Sequence, residues 1–182
     1  MGASELYKRF EAATERHGYV QSKQAAGVDL SSLRVVPASD RLTIAGQSMA
    51  GFLAVPAYAP GGEIQSLQFI PPDGGKKLNL PGASMSGSFF TVGWMVPGCR
   101  VNICEGIGQA WACWQATGAA AVVCFGAGNM GKVAKLLRER DPSARLVISA
   151  LFMKASKDCS RMAFQANPEP HRYAHVSSWR LR

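Results

Sequence analysis

Residues 100–152 alternate short β-prone runs with helix-forming stretches, and this predicts an α/β protein built on a parallel sheet flanked by helices. Val101–Glu105, Ala120–Phe125 and Arg145–Phe152 read as strands, with Gly108–Thr117 and Asn129–Glu139 as helices between them. The connections are short, and crossovers of that kind are right-handed and leave their strands parallel. Before residue 100 the texture is different: β-prone runs bounded by glycine and proline predict a small β-rich part. The expected organisation is a helical segment (1–40), a β-rich subdomain (41–98) and an α/β domain (99–182) with an atypical C-terminal tail.

Taken in order, Ser4 is a candidate N-cap, and Leu6, Phe10, Ala13 and His17 mark one side of a helix ending near Gly18. Tyr19 to Val36 reads as a second short helix and a connection. Leu42–Ile44, Gly51–Tyr58 and Ile64–Ile70 read as strands, punctuated by Pro60-Gly61-Gly62 and Asp73-Gly74-Gly75. Ile64–Ile70 alternates apolar and polar residues, which predicts an antiparallel strand with one wet face. A Gly/Ser-rich loop then leads to Phe89–Val92. Beyond Phe152, Lys154–Ala166 has helical character and Arg172–Arg182 reads as a final strand or a basic tail.

The 182 residues, 47% hydrophobic, are enough to bury a core. A formal charge of +8 favours a polyanionic partner, nucleic acid first and an anionic membrane surface second. Cys99, Cys104, Cys113, Cys124 and Cys159 make an odd set without a C-x-x-C pair, as expected of reduced thiols in a cytoplasmic protein. No run approaches the ~20 apolar residues of a membrane span. The first residues lack a basic region followed by an apolar core, so no signal peptide is expected.

Chemistry concentrates where Val101–Cys104 delivers Glu105-Gly106. Ligands of open parallel sheets gather at the carboxyl ends of the strands. A glutamate there suits metal or acid–base work, and a solvated strand-end carboxylate is the plain alternative. Gly126-Ala127-Gly128-Asn129-Met130-Gly131-Lys132 matches G-x-G-x-x-G in outline, yet no acid follows about 20 residues on to hold a ribose. It also matches G-x-x-x-x-G-K, but Val133 stands where a Mg²⁺-binding Ser/Thr belongs. A helix N-terminus open to phosphate is the better expectation, with Gly128, Asn129 and Lys132 as candidate contacts. His171 and His175 with Cys159 fall short of four zinc ligands. Ser84, Ser86 and Ser88 form no nucleophile elbow. Trp111 and Trp114 share a helix and are expected to pack.

The ordered set Phe52–Pro56, Ile64–Gln68, Asp73-Gly74-Gly75-Lys76-Lys77, Leu80-Pro81-Gly82, Glu105-Gly106, Thr117-Gly118 and Ala127-Gly128-Asn129 resembles the toprim domain of plasmid- and phage-encoded DNA primases. The resemblance reaches back to Gly18-Tyr19-Val20 and Lys23, and so covers residues 17–150. It implies a compact Rossmann-like core and a role for Glu105 in nucleotidyl transfer, as acid–base or metal-site residue. Lys76, Lys77, Arg100 and Lys132 are then candidate phosphate contacts, and single-stranded DNA the expected partner. Where the family carries a Mg²⁺-binding D-x-D pair, this chain has Ala150-Leu151-Phe152-Met153-Lys154, and Asp158 stands alone downstream. Mg²⁺ binding is therefore expected to be weak or absent. Two functions follow: a primase-like domain from a mobile genetic element with impaired catalysis, or a non-catalytic binding or inhibitor protein that keeps the fold and acts on a host protein or nucleic-acid complex.

Overall fold

Two sheets share one apolar layer. The computed structural model describes residues 2–149. The expected strand end at 150–152, the 154–166 helix, the basic tail, the His171/His175/Cys159 group, Asp158 and the D-x-D position lie outside the described residues.

The chain opens with α1 (Ala3–Lys8), β1 (Glu11–Ala12), α2 (Gly18–Ser22) and β2 (Arg34–Val35). A hairpin of β3 (Thr43–Ile44) and β4 (Gln47–Ser48) precedes β5 (Leu53–Tyr58), β6 (Ile64–Ile70) and β7 (Leu78–Asn79). Then come β8 (Phe90–Val92), β9 (Arg100–Cys104), α3 (Ile107–Thr117), β10 (Ala120–Val123), α4 (Ala127–Arg140) and β11 (Arg145–Ser149). The first sheet runs β1-β2-β5-β6-β7, with every pairing antiparallel. The second runs β11-β9-β10-β8. In it β9 is parallel to both β10 and β11, Val101 facing Ala120 and Leu146, while β8 closes the β10 side antiparallel. The α/β expectation holds for the described residues.

Strand parity assigns the faces. Cys104, Ala121 and Val123 turn toward α3, where they pack with Ile107, Ala110 and Trp111 and with Leu53, Val55 and Ile70 of the first sheet. The opposite side chains, Val101, Ile103, Val122 and Cys124, pack under Met130, Val133 and Leu137 of α4. The outer face of the first sheet, Ala54, Leu67 and Phe69, is covered by Leu6, Phe10, Ile44 and Met49. Each fully buried large apolar side chain contributes roughly 1.5–3 kcal/mol, so the shared layer, with Trp111 at its centre, is the main adhesive between the sheets.

Three expectations are corrected. The first helix ends at Lys8 and is capped by Gly2, whose N–H donates to the Glu5 carboxylate, rather than by Ser4. Residues 11–12 and 34–35, expected to lie in a helical segment, instead form strands joined to β5. β6 has no wet face over its second half, since Ser66 and Gln68 are buried and Gln68 Nε2 donates to Asn79 Oδ1 of β7 at 3.1 Å. The polar residues of that strand face protein because both sides of the sheet are covered. Among the described residues no helix is long and apolar enough to cross a membrane.

His17 marks the end of one element and the start of another. Its Nδ1 accepts from the Tyr19 N–H at 3.2 Å as the N-cap of α2, and its Nε2 lies 3.0 Å from Gly51 O. Nδ1 must accept, so Nε2 carries the hydrogen and the ring is neutral. Burial lowers the His17 pKa, opposed by the bond to Gly51. The unfolded chain therefore binds more protons than the folded one as pH falls below the usual histidine value near 6.5. Stability should fall progressively as pH drops through that value toward the lower folded-state pKa. Urea melts from pH 7.5 to 5.0 should show this loss, and His17→Asn, which keeps a capping oxygen, should flatten it.

Candidate functional site

The carboxyl edge of β9, β10 and β11 is built from the backbone outward. After β9 the Glu105 N–H donates to Gln109 Oε1 at 3.0 Å, and Gln109 Nε2 donates to the Ser149 carbonyl at the end of β11. The Glu105 carbonyl accepts from Gly126 N–H at 3.1 Å, joining the β10–α4 turn. That turn holds Phe125 at φ 60 and Gly126 at φ 144. A phenylalanine in left-handed backbone is costly, of the order of 1–3 kcal/mol, and it lies beside the Glu105 turn.

Three loops distant in sequence meet here. The Pro71–Gly75 turn, closed by Gly74 N–H to Pro71 O and Gly75 N–H to Asp73 Oδ1, carries the chain to Lys77. α2 brings Tyr19 and Lys23, and β9 brings Glu105-Gly106. Tyr19 is the hub: it is buried against Trp111 at 5.9 Å between centroids. The ammonium groups of Lys23 and Lys77 lie 5.5 and 5.8 Å from its ring centroid. A Cβ added at Gly106 would stand 2.9 Å from Lys77 Nζ, and one at Gly108 would stand 2.9 Å from Tyr19 Oη. Gly108 leaves room for the Tyr19 hydroxyl, while at Gly106 the flexible Lys77 side chain could give way.

The electrostatics are those of a crowded cationic corner. The Lys77 side chain is largely exposed along its length, but its ammonium is drawn in against the ring. Partial burial lowers the Lys77 pKa, the Lys23 charge lowers it further, and the Glu105 carboxylate partly restores it. Burial raises the Tyr19 pKa, with a hydrogen bond from the Gly108 backbone opposing. The N-terminus of α3 has no side-chain cap, so its partial positive charge adds to the two ammoniums. Such a corner attracts an anion.

The other sequence-derived candidates separate. Lys76 is exposed on the turn beside Lys77. Arg100 begins β9 and so stands at the opposite, amino edge, its Nε donating to Asn102 Oδ1 at 3.4 Å. Gly128 is exposed in the first turn of α4. Lys132 Nζ donates to Ser86 Oγ at 2.9 Å. Asn129 is fully engaged: Nδ2 is shared among the carbonyls of Met85, Ser88 and Cys124 at 2.9–3.0 Å, and Oδ1 accepts from Gly87 N–H at 2.8 Å. Asn129 is thus a clamp for the Gly/Ser-rich loop. Tyr19, Lys23 and Gln109 were not singled out as site residues from the sequence. Gln109 alone left a local signal, a glutamine three residues into the helix after Gly106, the position from which side chains reach back to the preceding backbone.

Among the described residues no group of three or more His, Cys, Asp or Glu side chains is placed to hold a metal. Mg²⁺ needs several converging oxygens, and the Glu105 carboxylate shares its corner with the Lys23 and Lys77 ammoniums. These residues fit an anion better than a divalent cation. No protein-family model matches the chain, and no solved structure matches it.

Replacing Asn129 by Ala removes the clamp and strands several carbonyls, a loss of about 2–4 kcal/mol. Chemical denaturation should show it, with Asn129→Asp no better because its carboxylate would face three carbonyl oxygens. Lys132→Ala, on the exposed side, should change stability by no more than ~0.5 kcal/mol.

Proposed function

We propose that the chain is a toprim-like, primase-related protein that binds the phosphates of single-stranded nucleic acid at this carboxyl edge, with primer synthesis impaired. One observation carries the proposal: Gly18-Tyr19-Val20 with Lys23, Asp73–Lys77 and Glu105-Gly106, the segments on which the resemblance to mobile-element primases rests, converge around one tyrosine ring. Lys23 and Lys77 meet a phosphate as charges, and the uncapped start of α3 supplies backbone N–H groups. In the family Glu105 would serve acid–base or metal chemistry, and Mg²⁺ would supply charge neutralisation on the transferring phosphoryl group.

We favour the second form of this proposal, a binding or inhibitor protein of a mobile element acting in the cytoplasm on a host protein or nucleic-acid complex. The Lys23 and Lys77 ammoniums crowd the corner beside Glu105 and oppose a cation there. The first form requires turnover and the second does not.

Fluorescence anisotropy with labelled single-stranded DNA, between about 50 and 200 mM salt, tests the binding. Affinity should fall steeply with salt. Lys77→Gln should weaken binding several-fold and reduce the salt slope by about 1, while Glu105→Gln should tighten it. Because the Lys77 pKa is lowered, binding should decline at a lower alkaline pH than an ordinary lysine would impose. Salt-independent binding, or none at low salt, would overturn the proposal.

Nucleotide incorporation on a single-stranded template separates the two forms. No product is expected with Mg²⁺ or Mn²⁺. Product that Glu105→Gln abolishes would establish the catalytic form.

A further inference from the structure

The opposite edge of the second sheet carries a feature that the carboxyl-edge site does not use. β9 and β11 are parallel and begin at Arg100 and Arg145, so both arginines stand at the amino edge, as direct partners on neighbouring strands. Like charges side by side on a sheet repel. Both are exposed, as is Arg140 at the end of α4. None of the three makes an ion pair among the described residues.

Acids stand near these arginines, and Asp29 and Asp141 line the same cleft as Arg140. Asp141 Oδ2 accepts from Gly98 N–H at 2.8 Å and its Oδ1 from Ser143. Glu139 is 3.9 Å from Lys135 Nζ, and Asp29 Oδ1 accepts from Ser31 N–H. The donors to Asp29 and Asp141 are neutral, so both acids keep their charge, and among the described residues neither of them is ion-paired with Arg100, Arg140 or Arg145.

Along the same edge runs the loop 93–99, from the end of β8 to the start of β9. It is pinned at both ends. Gly93, at φ 76, lies so close to Trp114 that a Cβ there would be 2.7 Å from the indole, and Gly98 is held by Asp141. Between the pins Trp94 stands 84% exposed and Val96 55% exposed. A cleft of about 890 Å³ opens beneath, walled by Trp114, Tyr58, Phe89, Leu137 and Arg140. A second hollow, sharing Phe89, Leu137 and Arg140 with the first, extends it along α4.

A large aromatic held out to solvent on an anchored loop, beside exposed arginines, has the two elements of a sequence-tolerant single-strand contact: a stacking platform and phosphate partners. We infer that the amino edge, through Trp94 and the Arg100/Arg140/Arg145 group, is a second binding surface for single-stranded nucleic acid, on which a base stacks on the Trp94 indole. The inference rests on the proposal that the chain binds single strands, and adds a face remote from Glu105 by the length of β9.

The test compares two labelled probes of equal length on the full chain, oligothymidylate and an abasic oligomer with the same backbone. Trp94→Ala should weaken oligothymidylate binding by roughly five-fold or more, the range found for a lost base–aromatic stack, and leave abasic binding unchanged. Trp94→Phe should restore most of the loss. Arg140→Gln and Arg145→Gln should each weaken both probes and lower the salt slope by about 1. Wild-type binding of oligothymidylate by Trp94→Ala would overturn the inference, and would leave the cleft to a protein segment. Equal loss on both probes would also overturn it, by assigning the effect to charge or loop collapse. If Lys77→Gln weakens binding and the amino-edge variants do not, this inference alone fails. If the amino-edge variants weaken binding and Lys77→Gln does not, the carboxyl-edge proposal fails instead.

Discussion

The Tyr19 ring is the contact on which the organisation of the carboxyl edge depends. Its edge meets Gly74, its hydroxyl meets the Gly108 backbone, and Trp111 packs beside it at 5.9 Å. Two ammonium groups at 5.5 and 5.8 Å then share its π-system. A lysine over an aromatic ring gains about 0.5–2 kcal/mol, and here two gains come with a mutual repulsion. Tyr19 therefore joins the shared apolar layer to the charged edge, and a change in core packing at Trp111 would reach the lysines directly.

The second sheet has different chemistry at its two edges because its three long strands are parallel. Their starts collect on one side and their ends on the other. The ends of β9 and β10 lead into glycines and the uncapped N-terminus of α3, which favour anions and close backbone approach. The starts of β9 and β11 carry arginines that follow a loop and a helix C-terminus. β8 adds no third character, since it runs antiparallel and its end delivers the Trp94 loop to the arginine side. Five residues of β9 separate the edges, about 16 Å at ordinary strand rise. One extended polyanion could therefore touch both.

The left-handed Phe125 and the Asn129 clamp show how the fold holds this arrangement open. Phe125 and Gly126 turn the chain sharply enough for Gly126 N–H to reach the Glu105 carbonyl. Asn129, one turn later, ties down the loop that crosses from the β-rich strands. Loop, turn and helix start are thus one hydrogen-bonded unit. Asn129 and Lys132, two of the side chains in that phosphate-loop pattern, bond here to the protein itself.

The alternation of β9, α3, β10, α4 and β11 was legible in the sequence because each element is local: apolar runs of four or five residues, a glycine at the first three turns and Asp-Pro-Ser at the last, helical spacing between. So was Glu105 at the end of its strand. The early strands β1, β2 and β7 were not legible, because two-residue strands carry no periodicity and exist through their pairing to β5 and β6. The role of Asn129 was hidden for the same reason, since three of its four partners lie more than forty residues away. By itself the sequence determined the charge excess, the strand–helix order and the glycines that permit close approach. Only the tertiary structure decided which lysines gather at the Tyr19 ring, that Arg100 belongs to the other edge, and that Trp94 points to water. Those outcomes depend on which strand ends share an edge, and that follows from packing two sheets against one apolar layer.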